Sequence, residues 1–468
     1  MRRAFLCLAA LAACGPEQEQ EDRPAHRGHL IIVTTGDFAD RSVALPRFID
    51  DKQRRGFRVT VVTEADYGGE KLLGQPRAHR IRGHLQKLLA DVEAPATHLL
   101  LVGDAHPEYG DVPMFTVWPR HEQPEDICLG AFKLDCRTCQ TDELYANLTG
   151  DWDLNGNGRY GEHKLDDGPG GIDFTPDLVV GRIPVYFGDV AEGDRILQHA
   201  LDYGDQTPAQ ASYRRRALFM AAYLYFKGQR LAASSVAQSQ DGAVTTEWMV
   251  KNVVEKRPGL TYHRLYEREG VPSTFASEGA LTQENATREL SRGYGLIYWT
   301  GHGLPLRVVR TIWTGDDDGD SAADDAELTA PPFLRAQDAD RITPGQPGFA
   351  VAGSCEVGSA DVPYNLSHSM LLAGALVGIV GSSSVTPGSR TASTPGSQGA
   401  LDDQAFGSDN AAVLMMEGLL DGKSAAEAFA RAKVTLGKSG SADAHAGRMM
   451  LNYFGDPTLT LDDTSGGR

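Results

Sequence analysis

Two apolar runs decide the fold of this chain: Gly295-Leu296-Ile297-Tyr298-Trp299-Thr300-Gly301-His302-Gly303 and Gly348-Phe349-Ala350-Val351-Ala352-Gly353-Ser354-Cys355. Each run is typical of a buried strand in a parallel sheet. Each also ends in a reactive side chain. Because ligands bind outside the carboxyl ends of the strands in open α/β sheets, His302 and Cys355 are predicted to share one crevice.

The chemistry of these two side chains favours a cysteine hydrolase. A thiol is mostly protonated at neutral pH, and a nearby imidazole can accept its proton and later protonate a leaving amine. The N–H groups of Gly303 and Cys355 are predicted to stabilise the oxyanion of a tetrahedral intermediate. Taken singly, a cysteine here is usually a small buried hydrophobe and a histidine a turn residue. Two similar runs, each with a reactive end, favour catalysis instead.

With these residues and several further motifs, the chain resembles the gingipain-like cysteine peptidases of family C25, in the caspase and gingipain clan. From about residue 29 to 462, the further motifs are Leu99-Leu100-Leu101-Val102-Gly103-Asp104, Thr141-Asp142-Glu143-Leu144-Tyr145-Ala146, Asp177-Leu178-Val179-Val180-Gly181-Arg182-Ile183-Pro184 and Leu451-Asn452-Tyr453-Phe454-Gly455-Asp456-Pro457. The resemblance implies a caspase/gingipain-like α/β fold, with mostly parallel sheets flanked by helices in two subdomains. It also implies a cysteine endopeptidase acting on proteins or peptides, with Cys355 as nucleophile and His302 as general acid/base.

One feature departs from the family pattern. In the gingipain pattern that this chain resembles, an acid at the end of an earlier strand completes a catalytic triad. The matching strand here, 217–225, has no carboxylate at that place. A third group mainly orients the imidazole, so a Cys/His dyad, a carboxylate from elsewhere and an inactive chain all stay open. The acid that gives arginine-specific members their pocket also has no clear counterpart. A transpeptidase using the same pair and a non-catalytic surface binding protein are the alternative functions.

The N-terminus resembles a bacterial lipoprotein signal. Arg2 and Arg3 precede a short apolar stretch and Leu11-Ala12-Ala13-Cys14-Gly15. This pattern predicts a signal peptide over 1–13, lipidation of Cys14 and a polar tether over 14–28, which implies an exported protein anchored in an envelope membrane, at the outer membrane or cell surface. An ordinary secretory signal cleaved near Ala13 is the alternative.

Composition narrows the classes of partner. The 468 residues contain 45 basic and 63 acidic side chains, for a formal charge of −18. Nucleic acid and anionic membrane surfaces would repel such a field, so neither is predicted as a partner. The charge is compatible with bound calcium, and no organic cofactor is predicted.

Two acidic loops have the spacing of calcium ligands. Residues 151–162 match a twelve-residue calcium loop through its oxygen donors, a glycine at position 6 and a final glutamate. The predicted ligands are Asp151, Asp153, Asn155, Asn157 and Glu162. Clustered carboxylates in a second loop would repel one another without a cation, which predicts a second site. Its ligands are Asp316, Asp318, Asp320, Asp324 and Glu327. A loop of Asx-turns without an ion is the alternative for the first site.

The remaining cysteines suit an oxidising compartment. Cys7 leaves with the signal peptide, and Cys128, Cys136 and Cys139 are clustered. A disulfide from Cys128 to Cys136 or Cys139 is favoured, with a metal site, redox chemistry and free thiols as alternatives.

Alternating strand and helix patterns divide the chain into an N-terminal α/β subdomain with the calcium loop, 29–206, and a catalytic subdomain, 207–462. A polar tail follows at 463–468. Helices are predicted at 47–55, 76–92, 190–203, 243–254 and 283–292. The Gly-, Ser- and Pro-rich segment 381–399 is predicted to be a mobile loop, which either covers the substrate or merely connects two elements.

Overall fold

The fold is described from a computed structural model, which describes residues 27–90, 97–122, 137–231, 234–343, 345–386, 408–436 and 440–465. Several sequence predictions lie outside these ranges. They concern the signal peptide, Cys14, most of the tether, Cys128, Cys136 and residues 387–399, and they stay predictions.

Within the described ranges, one sheet of eleven strands runs through the molecule. Numbered in chain order and given from edge to edge, its strands are β13 (Gly279–Ala280), β12 (Thr261–Tyr266), β7 (Arg216–Ala221), β14 (Leu296–Thr300), β20 (Gly348–Gly353), β21 (Leu376–Ser382), β22 (Leu451–Gly455), β6 (Val179–Pro184), β3 (His98–Gly103), β1 (Gly28–Val33) and β2 (Phe57–Val62). Neighbouring strands pair in parallel except β21 and β22, which are antiparallel. The predicted mostly parallel α/β fold is therefore confirmed.

Smaller β-structures lie on the loops of this sheet. They are β4 (Phe115–Val117) with β5 (Cys139–Thr141), β8 (Tyr223–Tyr225) with β11 (Gln240–Asp241), β9 (Arg230–Leu231) with β10 (Ser234–Ser235), β15 (His302–Leu304) with β16 (Arg307–Val309) and β19 (Pro332–Arg335), and β17 (Ile312–Trp313) with β18 (Leu328–Thr329).

Helices flank the sheet. The described α-helices are α1 (Gly36–Arg41), α2 (Leu45–Arg54), α3 (Glu64–Tyr67), α4 (Gly74–Leu89), α5 (Glu143–Ala146), α6 (Val190–Gly204), α7 (Ala243–Met249), α8 (Gln283–Leu290), α9 (Leu366–Leu372), α10 (Ser408–Leu420), α11 (Ala425–Leu436) and α12 (Ala442–Met450). Among these residues, no helix is long and apolar enough to cross a membrane.

Both faces of the sheet are covered by apolar side chains. Along β1, Leu30 and Ile32 belong to one buried cluster, while Ile31 and Val33 belong to another. Side chains alternate between the two faces of a strand, so the two clusters lie on opposite faces. This explains why the strands read as continuous apolar runs rather than as alternating ones.

Element ends differ slightly from the sequence predictions. The helix predicted at 76–92 runs from Gly74 to Leu89. It can begin before Pro76 because proline fits the first turn of a helix, where its missing N–H costs nothing. The helix predicted at 243–254 is α-helical only to Met249 and continues as a π-helical turn over Val250–Val254.

Two residues of the quoted motifs form a buried ion pair. Arg182 of β6 is fully buried and donates to both carboxylate oxygens of Asp142, at 2.7 and 2.6 Å. Burial opposes the charge of Arg182, but the carboxylate outweighs it and holds the pKa of Arg182 above its usual value. This pair ties the loop before α5 to the sheet.

The sheet continues across the predicted subdomain boundary. Strand β22, from the end of the chain, lies beside β6 of the N-terminal part and pairs with it through Phe454 and Arg182. The two parts therefore share one sheet, and the boundary at 206 stays a prediction.

Candidate active site

The register of two neighbouring strands places His302 and Cys355 at the same level. Strands β14 and β20 pair in parallel from Leu296 with Phe349 to Thr300 with Gly353. His302 and Cys355 each follow two residues after the last of these pairs. The two predicted catalytic residues therefore leave the sheet side by side.

Gly303 brings the two segments into close contact. A Cβ on this residue would lie 2.0 Å from the carbonyl oxygen of Cys355 and 2.6 Å from its amide nitrogen. Only glycine permits this approach of one backbone to the other. Within the described ranges, the Cys355 N–H has no hydrogen-bond acceptor, so it is available to an oxyanion.

A backbone carbonyl orients the histidine. His302 Nε2 lies 2.6 Å from the carbonyl oxygen of Leu224, in strand β8. Since a carbonyl only accepts, Nε2 carries the proton and Nδ1 is left to accept one. The ring of Tyr225 packs edge to face on His302, with the centroids 4.9 Å apart. Burial lowers the pKa of His302, and the bond to Leu224 offsets this in part.

The Leu224 carbonyl belongs to the segment in which the sequence lacks the acid of the family pattern. Leu224 lies near the end of the segment 217–225, and no carboxylate of the described residues bonds to His302. A carbonyl can hold the ring in one orientation and one tautomer. It stabilises the imidazolium less than a carboxylate would, because it carries only a partial charge.

The thiol of Cys355 is partly exposed and lies among groups of both charges. Its Sγ is 3.9 Å from the carbonyl oxygen of Thr386. Burial raises the pKa of Cys355 most, and the charge of Glu356 also raises it. The charge of Arg120 acts in the opposite direction. The raised pKa of Cys355 and the lowered pKa of His302 favour a neutral thiol and a neutral imidazole.

Glu356 directly follows the nucleophile in a strained conformation. Its φ is 55°, in the left-handed region that a non-glycine residue rarely adopts. Its N–H donates to the carbonyl oxygen of Ser384. Burial, and then the charge of Asp361, raise the pKa of Glu356 to about 7. Such strain next to a reactive group is a common feature of active sites.

The first predicted calcium loop is closed around Glu162. The side-chain amides of Asn155 and Asn157 donate to Glu162 Oε2, at 3.0 and 2.6 Å. Asp153 accepts from the N–H groups of Asn157 and Gly158. The structure thus brings Asn155, Asn157 and Glu162 together, while Asp151 accepts from the Asp153 N–H at the loop entrance.

The second loop brings together only part of its predicted ligands. Carboxylate oxygens of Asp316, Asp318 and Asp320 lie within 4.8 Å of one another, and all three side chains are exposed. Glu327 instead turns inward and accepts from the indole N–H of Trp313 and the N–H of Asp317. Asp324 Oδ1 accepts from the Ala326 N–H.

Cys139 is the one disulfide candidate within the described ranges. It is fully buried in β5, and burial raises the pKa of its thiol to about 12. It forms no disulfide with another described residue.

Three groups at the site escaped sequence reasoning: the Leu224 carbonyl, the ring of Tyr225 and the guanidinium of Arg120. A carbonyl has no residue type to recognise. Tyr225 had one signal, since it ends an apolar run parallel to the His302 strand. Arg120 had none, because it reaches the site from another part of the chain.

Comparison with known proteins identifies the family and agrees with the fold. The model of peptidase family C25 matches residues 23–462. The crystal structure of the Arg-specific cysteine proteinase gingipain R is similar over 96% of this chain and 80% of that chain, with a TM-score of 0.61 and 15% identity. The complex of the pro- and mature domains of RgpB from Porphyromonas gingivalis matches over 92% and 79%, with a TM-score of 0.60 and 15% identity. No curated protein sequence matches the chain.

Proposed function

This chain belongs to peptidase family C25, and from that membership we propose that it is a cysteine endopeptidase with a Cys355/His302 dyad. Family membership makes it a cysteine peptidase. The backbone contact between Gly303 and Cys355 carries the more specific proposal of a dyad. It sets the segment of His302 against the segment of Cys355 at one edge of the sheet.

In the proposed mechanism, Sγ of Cys355 attacks the carbonyl carbon of the scissile peptide bond while its proton passes to Nδ1 of His302. The N–H of Cys355, with that of Gly303, stabilises the resulting oxyanion. The carbon–nitrogen bond then breaks, and the leaving amine takes the proton from His302. Water, activated by the same imidazole, hydrolyses the acyl-enzyme and restores the thiol.

The neutral resting dyad fits this sequence of steps. The pKa of His302 is lowered and that of Cys355 is raised, so proton transfer accompanies attack rather than preceding it. The Leu224 carbonyl supports the dyad by holding the proton on Nε2, which leaves Nδ1 free to accept the proton of the thiol. The fixed ring also spares the enzyme the entropy of orienting it in each turnover.

Calcium is proposed as a structural ion. The oxygen donors of 151–162, and the carboxylates of Asp316, Asp318 and Asp320, match the hard oxygen ligands that this ion requires. Its role would be to stabilise the folded loops rather than to join the chemistry.

The proposal also places the protein outside the cytoplasm, as a lipoprotein anchored through Cys14 at the bacterial outer membrane or cell surface. The lipobox-like residues 11–15 support this location. Metabolic labelling with a fatty acid analogue tests it, because a Cys14→Ser variant should lose the label and retain the peptidase activity.

Active-site labelling tests the catalytic proposal. The protein is incubated with a library of peptidyl chloromethyl ketones in calcium buffer, and adducts are located by mass spectrometry. We expect one adduct at Cys355 that disappears in His302→Ala, whereas a Cys139→Ala variant should label like the wild type. A Cys355→Ala variant should fold and cleave no peptide.

Other outcomes would redirect the assignment. A folded, calcium-loaded protein that reacts with no member of the library would be a binding protein that keeps the peptidase fold. Ligated products that form only in the presence of an added amine would identify a transpeptidase.

A further inference from the structure

Arg120 and Cys355 hold neighbouring carbonyls of one short segment. Arg120 follows strand β4 and donates from Nη1 to the carbonyl oxygen of Val385, at 2.8 Å. The next carbonyl, that of Thr386, is the one that contacts Sγ of Cys355. A single peptide unit therefore separates the two contacts.

The same segment is fixed to the N-terminal part at two further points. The hydroxyl of Ser383 donates to the carbonyl oxygen of Gln140, and that of Ser384 donates to the carbonyl oxygen of Thr138. Thr138 and Gln140 lie at the start of the short sheet that β5 forms with β4. Residues 383–386 thus lie between the short sheet of β4 and β5 on one side and Cys355 on the other.

Arg120 is a half-buried cation. No ion pair within 4 Å joins it to any described residue, and burial lowers its pKa. The charged or titratable groups that face it are Asp443, which is exposed, and the thiols of Cys139 and Cys355. Burying a guanidinium is costly unless hydrogen bonds or an opposite charge compensate it, and a thiolate at Cys355 would supply such a charge.

The nucleophile needs such a charge. Besides His302, the titratable groups that face Cys355 are Glu356 from its own loop, Tyr225 from β8 and Arg120 from the N-terminal part. Glu356 opposes a thiolate, and His302 has only a carbonyl behind it. Within the described ranges, Arg120 is the cation whose charge favours the thiolate.

We propose that Arg120 is a positioning residue for the nucleophile, which fixes Val385 and Thr386 against Cys355 and sets a positive charge where the thiolate forms. This inference rests on the proposed function, since it takes Cys355 as the nucleophile. It gives the N-terminal part a direct role in the chemistry of a thiol that belongs to the C-terminal part.

The experiment measures the reactivity of the thiol without any peptide. The full-length protein is alkylated with iodoacetamide between pH 6 and 10, and the rate at Cys355 is followed by mass spectrometry of its peptide. Arg120→Gln should raise the apparent pKa of Cys355 and slow alkylation at pH 7.5 roughly tenfold, a shift of about one pKa unit. The limiting rate at high pH should stay unchanged, because the thiolate itself is intact.

Two further variants separate charge from folding. Arg120→Lys keeps the charge, so it should retain most of the reactivity at pH 7.5. Arg268→Gln is the matched control, because Arg268 also donates to backbone carbonyls, those of Ser273 and Phe275, but its charge is not among those that act on the Cys355 thiol. This control should leave the pH profile unchanged.

The outcomes are distinct. An Arg120→Gln protein with the wild-type profile, or one slowed equally at every pH, overturns the inference. If Arg120→Gln does not fold, Arg120→Lys is compared with Arg120→Met, a variant without the charge. Identical pH profiles of these two variants overturn the inference as well. Failure of the proposed function would give a different result. Cys355 of the wild type would then react no faster than Cys355 of the His302→Ala variant, whatever residue is at position 120.

Discussion

The backbone of Gly303 touches the backbone of Cys355, with no room for a side chain between them. This contact links the segment of His302, the base of the proposed dyad, to the segment of Cys355, its proposed nucleophile. It also makes the geometry of the dyad depend on a residue that performs no proton transfer.

Replacing Gly303 with alanine should therefore separate the dyad. The added Cβ would meet backbone atoms of Cys355, which cannot rotate away, so one segment must shift. A displacement of about 1 Å at a reacting atom costs on the order of a hundredfold in kcat/KM. Steady-state cleavage of a peptide substrate measures this, with Gly83→Ala as control, since a Cβ at Gly83 meets no neighbouring atom. Activity within twofold of wild type would contradict the role of the contact.

The ring of Tyr225 should matter to catalysis through its shape alone. Its edge-to-face contact fixes the plane of His302. Tyr225→Ala should lower kcat/KM about tenfold, part of the effect of a general acid/base, with a small change in KM. Tyr225→Phe keeps the ring and should stay near wild type. A comparable loss in both variants would instead point to the hydroxyl.

Asp142 should be essential for folding stability rather than for catalysis. Asp142→Asn leaves the fully buried Arg182 without its counter-charge, which costs about 3–5 kcal/mol of unfolding free energy. Urea unfolding measures the loss. The matched control is Asp37→Asn, because Asp37 pairs with Arg41 on the surface and should cost less than about 1 kcal/mol. Equal effects of the two variants would contradict this ranking.

Acid should destabilise the protein through buried histidines. His368 is fully buried, neither ring nitrogen has a partner among the described residues, and burial lowers its pKa to about 4. The unfolded chain takes up this proton below pH 6.5, whereas the folded chain resists it until about pH 4. Stability is therefore lost as the pH falls between these values, by about 2 kcal/mol at pH 5 for this residue.

His368→Leu should remove that share of the pH dependence. The quantity to compare is the difference in unfolding free energy between pH 7 and pH 5, so that any change in packing cancels. The buried His445, whose pKa burial also lowers to about 4, keeps its own contribution in the variant. An unchanged difference would show that His368 is already protonated at pH 5 in the folded state.

Calcium should raise the melting temperature. At a concentration 100 times the dissociation constant, one site contributes about 2.7 kcal/mol. Asp153→Asn should raise the calcium concentration that is needed to saturate the loop 151–162. Asp318→Asn should do the same for the second loop. Asp40→Asn, outside both loops, is the control. A thermal shift that magnesium reproduces equally, or that neither loop variant alters, would contradict calcium binding at these loops.

That His302 and Cys355 lie side by side could be anticipated, because their placement depends on local signals. The runs ending at Thr300 and Gly353 are apolar throughout, which indicates buried parallel strands, and their register turned out to bring His302 level with Cys355. The motifs around Asp142 and Arg182 were recognised as separate pieces. Their pairing was not, because residues forty positions apart reveal no contact through their types alone.

The sequence by itself determined the fold class and predicted the dyad, since strand patterns and reactive residue types are properties of short segments. Only the tertiary structure decided what surrounds the dyad. The carbonyl of Leu224 lies against His302, and Arg120 reaches the carbonyl of Val385 from an earlier part of the chain. Both are consequences of packing. A carbonyl has no side chain to recognise, and the bond from Arg120 to Val385 joins residues 265 positions apart, so it depends on the sheet that brings the two parts of the chain together.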